Sequence, residues 1–133
     1  MKNLYFVLLI SLFGFVGQEV HGQVFELTDG APPCVFSKVQ FTKNGTTAGP
    51  PVRNRFFAPV FGGGFWIVFQ NGRWEITDNA MTGTFYYSTN TTDPDPPTNT
   101  TDWRVGAQGA LFGCGNENDP VPGNFSLTTV DIC

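Results

Sequence analysis

Glycine and proline recur so often after residue 28 that the chain cannot form a long amphipathic helix. The sequence contains 16 glycines and 10 prolines among its 133 residues, and both residue types interrupt the interior of a helix. The segments between them are short and rich in Val, Ile, Phe, Tyr, Trp and Thr, which favour strands. This pattern predicts an all-β chain that forms a single small antiparallel β-sandwich or an open barrel-like domain.

The segment from Phe65 to Ile76, FWIVFQNGRWEI, predicts the central hairpin of this domain. Asn71 and Gly72 both tolerate positive φ and suit a two-residue type I′ turn. Such a turn fixes the strand register, so Gln70 should face Arg73, and the pairing should continue outward from there. Alternation then predicts two faces. The core face should carry Phe65, Ile67, Phe69, Trp74 and Ile76. The outer face should carry Trp66, Val68, Gln70, Arg73, Glu75 and Thr77, with Glu75 exposed to solvent.

Five further strands complete the predicted strand set. With the two hairpin strands, 65–70 and 73–77, we predict strands over 35–42, 52–57, 84–88, 102–105 and 125–132. The Thr-, Pro- and Asn-rich segment 88–102 lacks large apolar residues before Trp103 and is predicted to be an exposed loop within the domain.

The N-terminus has the pattern of a secretory signal peptide. Lys2 precedes an apolar run over 4–16, and small residues at Val20 and Gly22 precede Gln23. The run is shorter than the about 20 residues that a membrane-spanning helix needs. We therefore predict a cleaved signal over 1–22, a secreted domain over 23–133, and no membrane span.

Charge and histidine content narrow the function classes. The net charge is −4 and no basic run occurs, which disfavours nucleic acid as a partner. The single histidine, His21, lies in the predicted signal, so catalytic triads and metal sites that use imidazole are excluded from the secreted domain. The carboxylates Asp93, Asp95 and Asp102 do not match a calcium-binding EF-hand loop. We predict no metal and no cofactor.

Catalysis by carboxylates alone is the weakest hypothesis. It would need two acidic side chains set across a cleft, and no motif selects a pair from Glu26, Glu75, Asp78 and Glu117. We therefore predict that the protein is not an enzyme.

Three cysteines, Cys34, Cys114 and Cys133, allow three pairings and leave one thiol over. We predict a Cys34–Cys133 disulfide, because it would tie the first predicted strand to the last and close a long loop. Cys114–Cys133 is the main alternative. Cys114, between two glycines, is the predicted thiol for a disulfide-linked dimer.

Four N-glycosylation sequons occur, at Asn44, Asn90, Asn99 and Asn124. Each would be a polar loop if considered alone, but four in a secreted chain of this length predict a glycoprotein.

Four residues are the candidate ligand contacts: Trp66, Arg73, Tyr87 and Trp103. An exposed aromatic ring on a sheet can stack on a sugar or seat a protein partner. The alternative is that each ring packs under a loop or against a neighbouring strand. Because Tyr86 and Tyr87 are adjacent, alternation places one of them inward and the other outward.

The order of these features resembles small secreted β modules of invertebrate extracellular-matrix proteins. The resemblance covers the cysteine-bounded segment Pro33-Cys34-Val35-Phe36, the aromatic hairpin, Pro96-Pro97 leading to Trp103, and the closing Cys133. It implies a structural or adhesive role in mucus, egg coats, shells or skeletons, with matrix proteins or glycans as partners. From these observations we expect a secreted, non-enzymatic glycoprotein of an extracellular matrix or coat, biomineral-associated matrices included. The alternative is a lectin-like module that binds carbohydrate through the hairpin aromatics.

Overall fold

The computed structural model describes residues 23–60 and 62–130, so the predicted signal peptide and Cys133 lie outside the described residues. Strands make up most of this part of the chain, together with a 3₁₀ turn over Thr100–Asp102 and one short helix, α1, over Ala107–Leu111. The strands are β1 (Val24–Thr28), β2 (Val39–Thr46), β3 (Asn54–Val60), β4 (Gly63–Gln70), β5 (Arg73–Asp78), β6 (Thr84–Ser88), β7 (Trp103–Val105) and β8 (Ser126–Val130).

All eight strands belong to one antiparallel sheet with the order β7-β6-β5-β4-β3-β2-β1-β8. Neighbours along the chain pair with each other from β1 to β7, and β8 returns to pair with β1. The sheet is curled into a half-barrel. The all-β, antiparallel prediction is confirmed, in its open barrel-like form. No helix within the described ranges has the length and apolarity needed to cross a bilayer.

The predicted hairpin is confirmed residue by residue. Gln70 pairs with Arg73, and the register continues through Ile67 and Ile76. Asn71 and Gly72 have φ values of 56° and 76°, as a type I′ turn requires. Every residue of the predicted core face belongs to the main apolar cluster or packs against it.

The first strand, β1, was not predicted. It is only five residues long, carries Glu26 at its centre and directly follows the predicted cleavage site. Its two neighbours stabilise it, because it pairs with β2 on one side and β8 on the other. The predicted strand 35–42 begins later, at Val39, and the preceding turn places Phe36 in the core instead.

Aromatic rings fill the core. Phe36 is fully buried, and its ring lies within 4.7–6.3 Å of the rings of Phe41, Phe65, Phe85 and Tyr86. The contacts with Phe65 and Phe85 are edge-to-face, a geometry that adds to the stabilisation from burial alone. A register shift between β5 and β6 leaves Phe85 without a paired residue, which allows both Phe85 and Tyr86 to reach the core.

The loop between β6 and β7 covers one part of this core. The indole N–H of Trp74 donates to the carbonyl of Asp93 at 3.1 Å, and that of Trp103 donates to the carbonyl of Pro97 at 2.7 Å. Pro96 and Pro97 are buried, whereas most of the loop is exposed. The expectation of an exposed loop is therefore wrong at these two prolines, because their rings and carbonyls complete the surroundings of the two tryptophans.

A disulfide joins Cys34 to Cys114, with Cα atoms 5.5 Å apart and a sequence separation of 80. The predicted Cys34–Cys133 bond is therefore wrong, and so is the prediction that Cys114 is an intermolecular thiol. The entropic preference for the longest loop did not decide the pairing. The fold brings the turn before β2 and the turn after α1 together, so that only a short bridge is needed.

Candidate functional site

A polar cavity of about 270 Å³ opens on the outer face of the sheet, opposite the apolar core. Its lining includes Arg73, Tyr87, Gln108, Glu117, Asn118 and the turn 82–84. We call it the Arg73 cavity. The lining comes from β5, β6, the start of α1 and the segment after it, so four separate parts of the chain meet there.

Strand alternation explains how Arg73 and Tyr87 reach this face. Trp74 and Tyr86 point into the core, so their neighbours Arg73 and Tyr87 lie on the other side. The Arg73 guanidinium carbon lies 3.9 Å from the centre of the Tyr87 ring, which is a cation–π contact. The prediction that one tyrosine points inward and the other outward is confirmed.

Glu75 fixes the position of Arg73. The Nε atom of Arg73 donates to Oε2 of Glu75 at 2.8 Å. Oε1 of Glu75 accepts hydrogen bonds from Gln70 at 2.8 Å and from Thr84 at 3.3 Å. The Glu75 side chain is 1% exposed, against 35% for Arg73. The prediction of an exposed Glu75 is wrong, because these donors surround the carboxylate and compensate for its burial.

The far wall of the cavity is held by backbone hydrogen bonds to β7. The Asn118 N–H donates to the Val105 carbonyl at 2.8 Å, and the Val105 N–H donates to the Asp119 carbonyl at 2.9 Å. The Tyr87 hydroxyl donates to Oδ1 of Asn118 at 2.7 Å. The Asn118 side chain is therefore anchored through its oxygen, which leaves the amide nitrogen as the donor end.

Gly83 keeps the near wall open. A Cβ atom at this position would lie 2.7 Å from Oδ2 of Asp78 and 3.1 Å from Oε1 of Gln108. The Gly83 N–H itself donates to Asp78 at 3.1 Å. A side chain at residue 83 would therefore push against Asp78 and against Gln108 in the cavity lining.

Trp66 lies elsewhere on the outer face and does not line the Arg73 cavity. Its ring is half-buried, 4.7 Å from the Phe57 ring, with the Arg55 guanidinium 4.8 Å from its centre. Its indole N–H donates to the Asn79 carbonyl at 3.2 Å. Packing against neighbouring side chains thus accounts for most of the Trp66 surface.

Trp103 is fully buried in the core. It is therefore ruled out as a ligand contact. Of the four predicted contact residues, the structure brings together Arg73 and Tyr87. The sequence did not indicate Gln108 or Asn118, because neither belongs to a motif and both reach the site through the segment that follows β7.

A second polar cluster lies in the core around Asp29, which is 1% exposed. Its carboxylate accepts hydrogen bonds at 2.8 Å from the backbone N–H groups of Cys34 and Val35 and from the Tyr86 hydroxyl. Burial, and then the hydrogen bond and negative charge of Asp29, raise the pKa of Tyr86 far above its usual value. Asp29 also lies near both bridged sulfurs, but cysteines in a disulfide offer no thiolate to a metal.

The sequon asparagines occupy different environments. Asn44, Asn99 and Asn124 are exposed. Asn90 is half-buried, and its side-chain nitrogen donates to Asp93 at 3.0 Å. Asn124 had the weakest case from sequence, yet Asn90 is the less accessible of the two.

Comparison with protein-family models, curated proteins and solved structures gave no match to this chain.

Proposed function

We propose that the protein is a secreted, non-enzymatic glycoprotein that serves as a structural or adhesive component of an extracellular matrix or coat. The observation that carries this proposal is the exposure of three sequon asparagines, Asn44, Asn99 and Asn124. Glycan addition needs an accessible side-chain nitrogen on the surface of a secreted protein.

The disulfide also supports an extracellular location. Disulfides persist in oxidising extracellular surroundings and are rare in the cytosol, and the Cys34–Cys114 bond joins two turns of this domain. The net charge of −4 suits solubility in secretions rather than attachment to acidic surfaces.

Intact mass of the natural protein tests this proposal. We expect the N-terminus to begin at or near Gln23 and glycosidase treatment to lower the mass. Each of the single variants Asn44→Gln, Asn99→Gln and Asn124→Gln should lack one glycan when the chain is expressed in a eukaryotic secretory system. Asn116→Gln is the matched control, since Asn116 is exposed but lies in no sequon. An unprocessed, sugar-free chain retained inside cells would contradict the proposal.

Carbohydrate binding is the second candidate function, and the Arg73 cavity favours it. The cavity joins an arginine, an aromatic ring, two amides and a carboxylate in one concave site, a combination that suits ligands rich in hydroxyl groups. The site differs from the predicted one, because Arg73 and Tyr87 form it without Trp66. Binding to a broad glycan panel tests this candidate function. Binding that is lost in a folded Tyr87→Ala variant would support it, and an absence of binding to every glycan of the panel would contradict it.

A further inference from the structure

The charges around the Arg73 cavity restrict which sugars it can accept. The positive charge of Arg73 is already balanced by Glu75, at 2.8 Å. Glu75 cannot turn away to release Arg73, because it is buried and accepts further hydrogen bonds from Gln70 and Thr84. Glu117 then adds an exposed carboxylate to the lining. The balance of these three charges is negative.

The lining of the cavity contains both hydrogen-bond donors and hydrogen-bond acceptors. Within the described residues, hydrogen bonds of the Arg73 side chain involve Nε alone, so its two terminal nitrogens keep donor capacity. Asn118 has its oxygen occupied by the Tyr87 hydroxyl and keeps its amide donors. Glu117 supplies acceptors, and Gln108 supplies both. A sugar hydroxyl, which donates and accepts at once, can pair with both kinds of group.

The Arg73 guanidinium limits stacking on the Tyr87 ring. It lies 3.9 Å from the ring centre and covers one face of the ring, so that face is closed to a ligand. Hydrogen bonds at defined positions add selectivity between sugars.

The size of the cavity limits the ligand to about one ring. Sites for drug-sized ligands occupy about 300–1,000 Å³, and the Arg73 cavity measures about 270 Å³. A terminal sugar unit fits this limit better than an internal stretch of polysaccharide, which would need an open groove at both ends.

We propose that the Arg73 cavity binds the terminal ring of a neutral glycan and discriminates against acidic sugars. This inference rests on the carbohydrate-binding candidate and names the class of sugar. A uronic acid would bring its carboxylate towards Glu117 without gaining an unpaired arginine in return. The repulsion of two carboxylates in a partly desolvated site should weaken binding about tenfold.

The test measures binding of three monosaccharide classes by ligand-observed NMR and calorimetry at low salt. The probes are methyl glycosides of neutral hexoses and N-acetylhexosamines, the matching methyl glycosides of uronic acids, and an unacetylated hexosamine. We expect neutral sugars to bind and uronic acids to bind about tenfold more weakly. Raising the ionic strength should reduce this difference, because salt screens exposed charges.

Three variants test whether the discrimination between sugars arises at the Arg73 cavity. Glu117→Gln should bring the affinities for neutral and acidic sugars within about threefold of each other, since it removes the repelling charge and keeps the side-chain shape. Asn118→Ala should weaken all sugars, because it removes an amide donor. Arg55→Gln is the matched control: Arg55 also stacks on an aromatic ring, that of Trp66, but lies outside the Arg73 cavity. Its sugar binding should equal that of the unmodified protein.

The outcomes separate the two levels of the proposal. A preference for uronic acids, or an unchanged selectivity in Glu117→Gln, would overturn the discrimination against acidic sugars while leaving carbohydrate binding in place. The amino sugar should bind at least as well as the neutral hexoses, because the balance of charge in the cavity is negative. Loss of binding in Arg55→Gln but not in Asn118→Ala would move the site to Trp66. No binding of any sugar by folded protein would remove the carbohydrate-binding function itself.

Discussion

Tyr86 and Asp29 form a buried polar pair whose two side chains lie 57 residues apart in sequence. The hydroxyl supplies one of three hydrogen bonds to a carboxylate that is almost fully excluded from solvent. We predict that Tyr86→Phe lowers the free energy of unfolding by about 1.5–3 kcal/mol, the usual range for a hydrogen bond to a charged group. Denaturant unfolding followed by tryptophan fluorescence measures this. Tyr87→Phe, whose partner Asn118 is exposed, should cost less.

The same pair predicts how stability changes with pH. The pKa of Tyr86 is raised in the folded protein, and an unfolded tyrosine has a pKa of about 10. The stabilisation from Tyr86 is therefore complete below about pH 10 and declines above it, because the unfolded state then releases the proton that the folded state retains. Unfolding between pH 8 and pH 11.5 should show a steeper alkaline loss for the unmodified protein than for Tyr86→Phe. Equal slopes would contradict the assignment.

Glu75 gives a second prediction about a single side chain. Glu75→Gln removes the charge that holds Arg73 and places an amide donor beside Gln70. Since the carboxylate is buried and Arg73 is partly exposed, we expect a loss of about 1–3 kcal/mol in unfolding free energy. Glu26→Gln is the control, because Glu26 accepts a single 3.2 Å hydrogen bond from Gln40. It should change stability by less than about 0.5 kcal/mol.

Alternation predicted which residues share a face with Glu75, but it could not predict burial on that face. Glu75 was expected to be exposed to solvent on this outer face. The turn after β5 covers part of it: the Met81 carbonyl accepts from Gln70, and the Asn79 carbonyl accepts from Trp66. A turn that folds back over a sheet produces no alternating pattern of residues in the sequence, so alternation cannot predict it.

Among the secondary-structure elements, the hairpin was predictable because a two-residue turn specifies it locally. Its register follows from Asn71 and Gly72 alone. β1 lacks such a signal, since its formation depends on β2 and β8 and the latter lies about a hundred residues away in the chain. Helix α1 spans five residues, too few for helical periodicity to emerge.

The disulfide between the turn before β2 and the turn after α1 should be a major contributor to stability. It closes a loop with a sequence separation of 80 residues, for which the chain-entropy model gives about 4–5 kcal/mol. We predict that the double variant Cys34→Ser, Cys114→Ser loses stability of this order, measured by denaturant unfolding without reductant. Because such a loss approaches the whole stability of a small domain, thermal unfolding by circular dichroism should be measured in parallel. A change below about 1 kcal/mol would contradict the prediction.

For the molecule as a whole, the count of three cysteines identifies which one lies outside the internal disulfide. Cys34 and Cys114 bond to each other, so Cys133 is the third cysteine. Peptide mapping of the unreduced protein should give one internal linkage, Cys34–Cys114, with Cys133 in a modified or interchain peptide. Cys133→Ser should leave that linkage and the unfolding midpoint unchanged. An internal bond from Cys133 to either of the others would overturn this assignment.

The fold class was predictable because composition and turn residues act all along the chain, whereas the segments that cover the core were not. Phe36, Pro96 and Pro97 are buried although they lie in turns and loops outside the strands. The meeting of Arg73 with Asn118 likewise depends on the path after β7, which the segment around Asp119 sets by hydrogen bonds to Val105.

The cross-link between Cys34 and Cys114 encloses most of the strands and the whole of the β6–β7 loop. A protease that cuts this loop would therefore produce two polypeptides that still migrate as one molecule until a reductant is added. Such a nick would therefore leave the two pieces covalently joined by the disulfide.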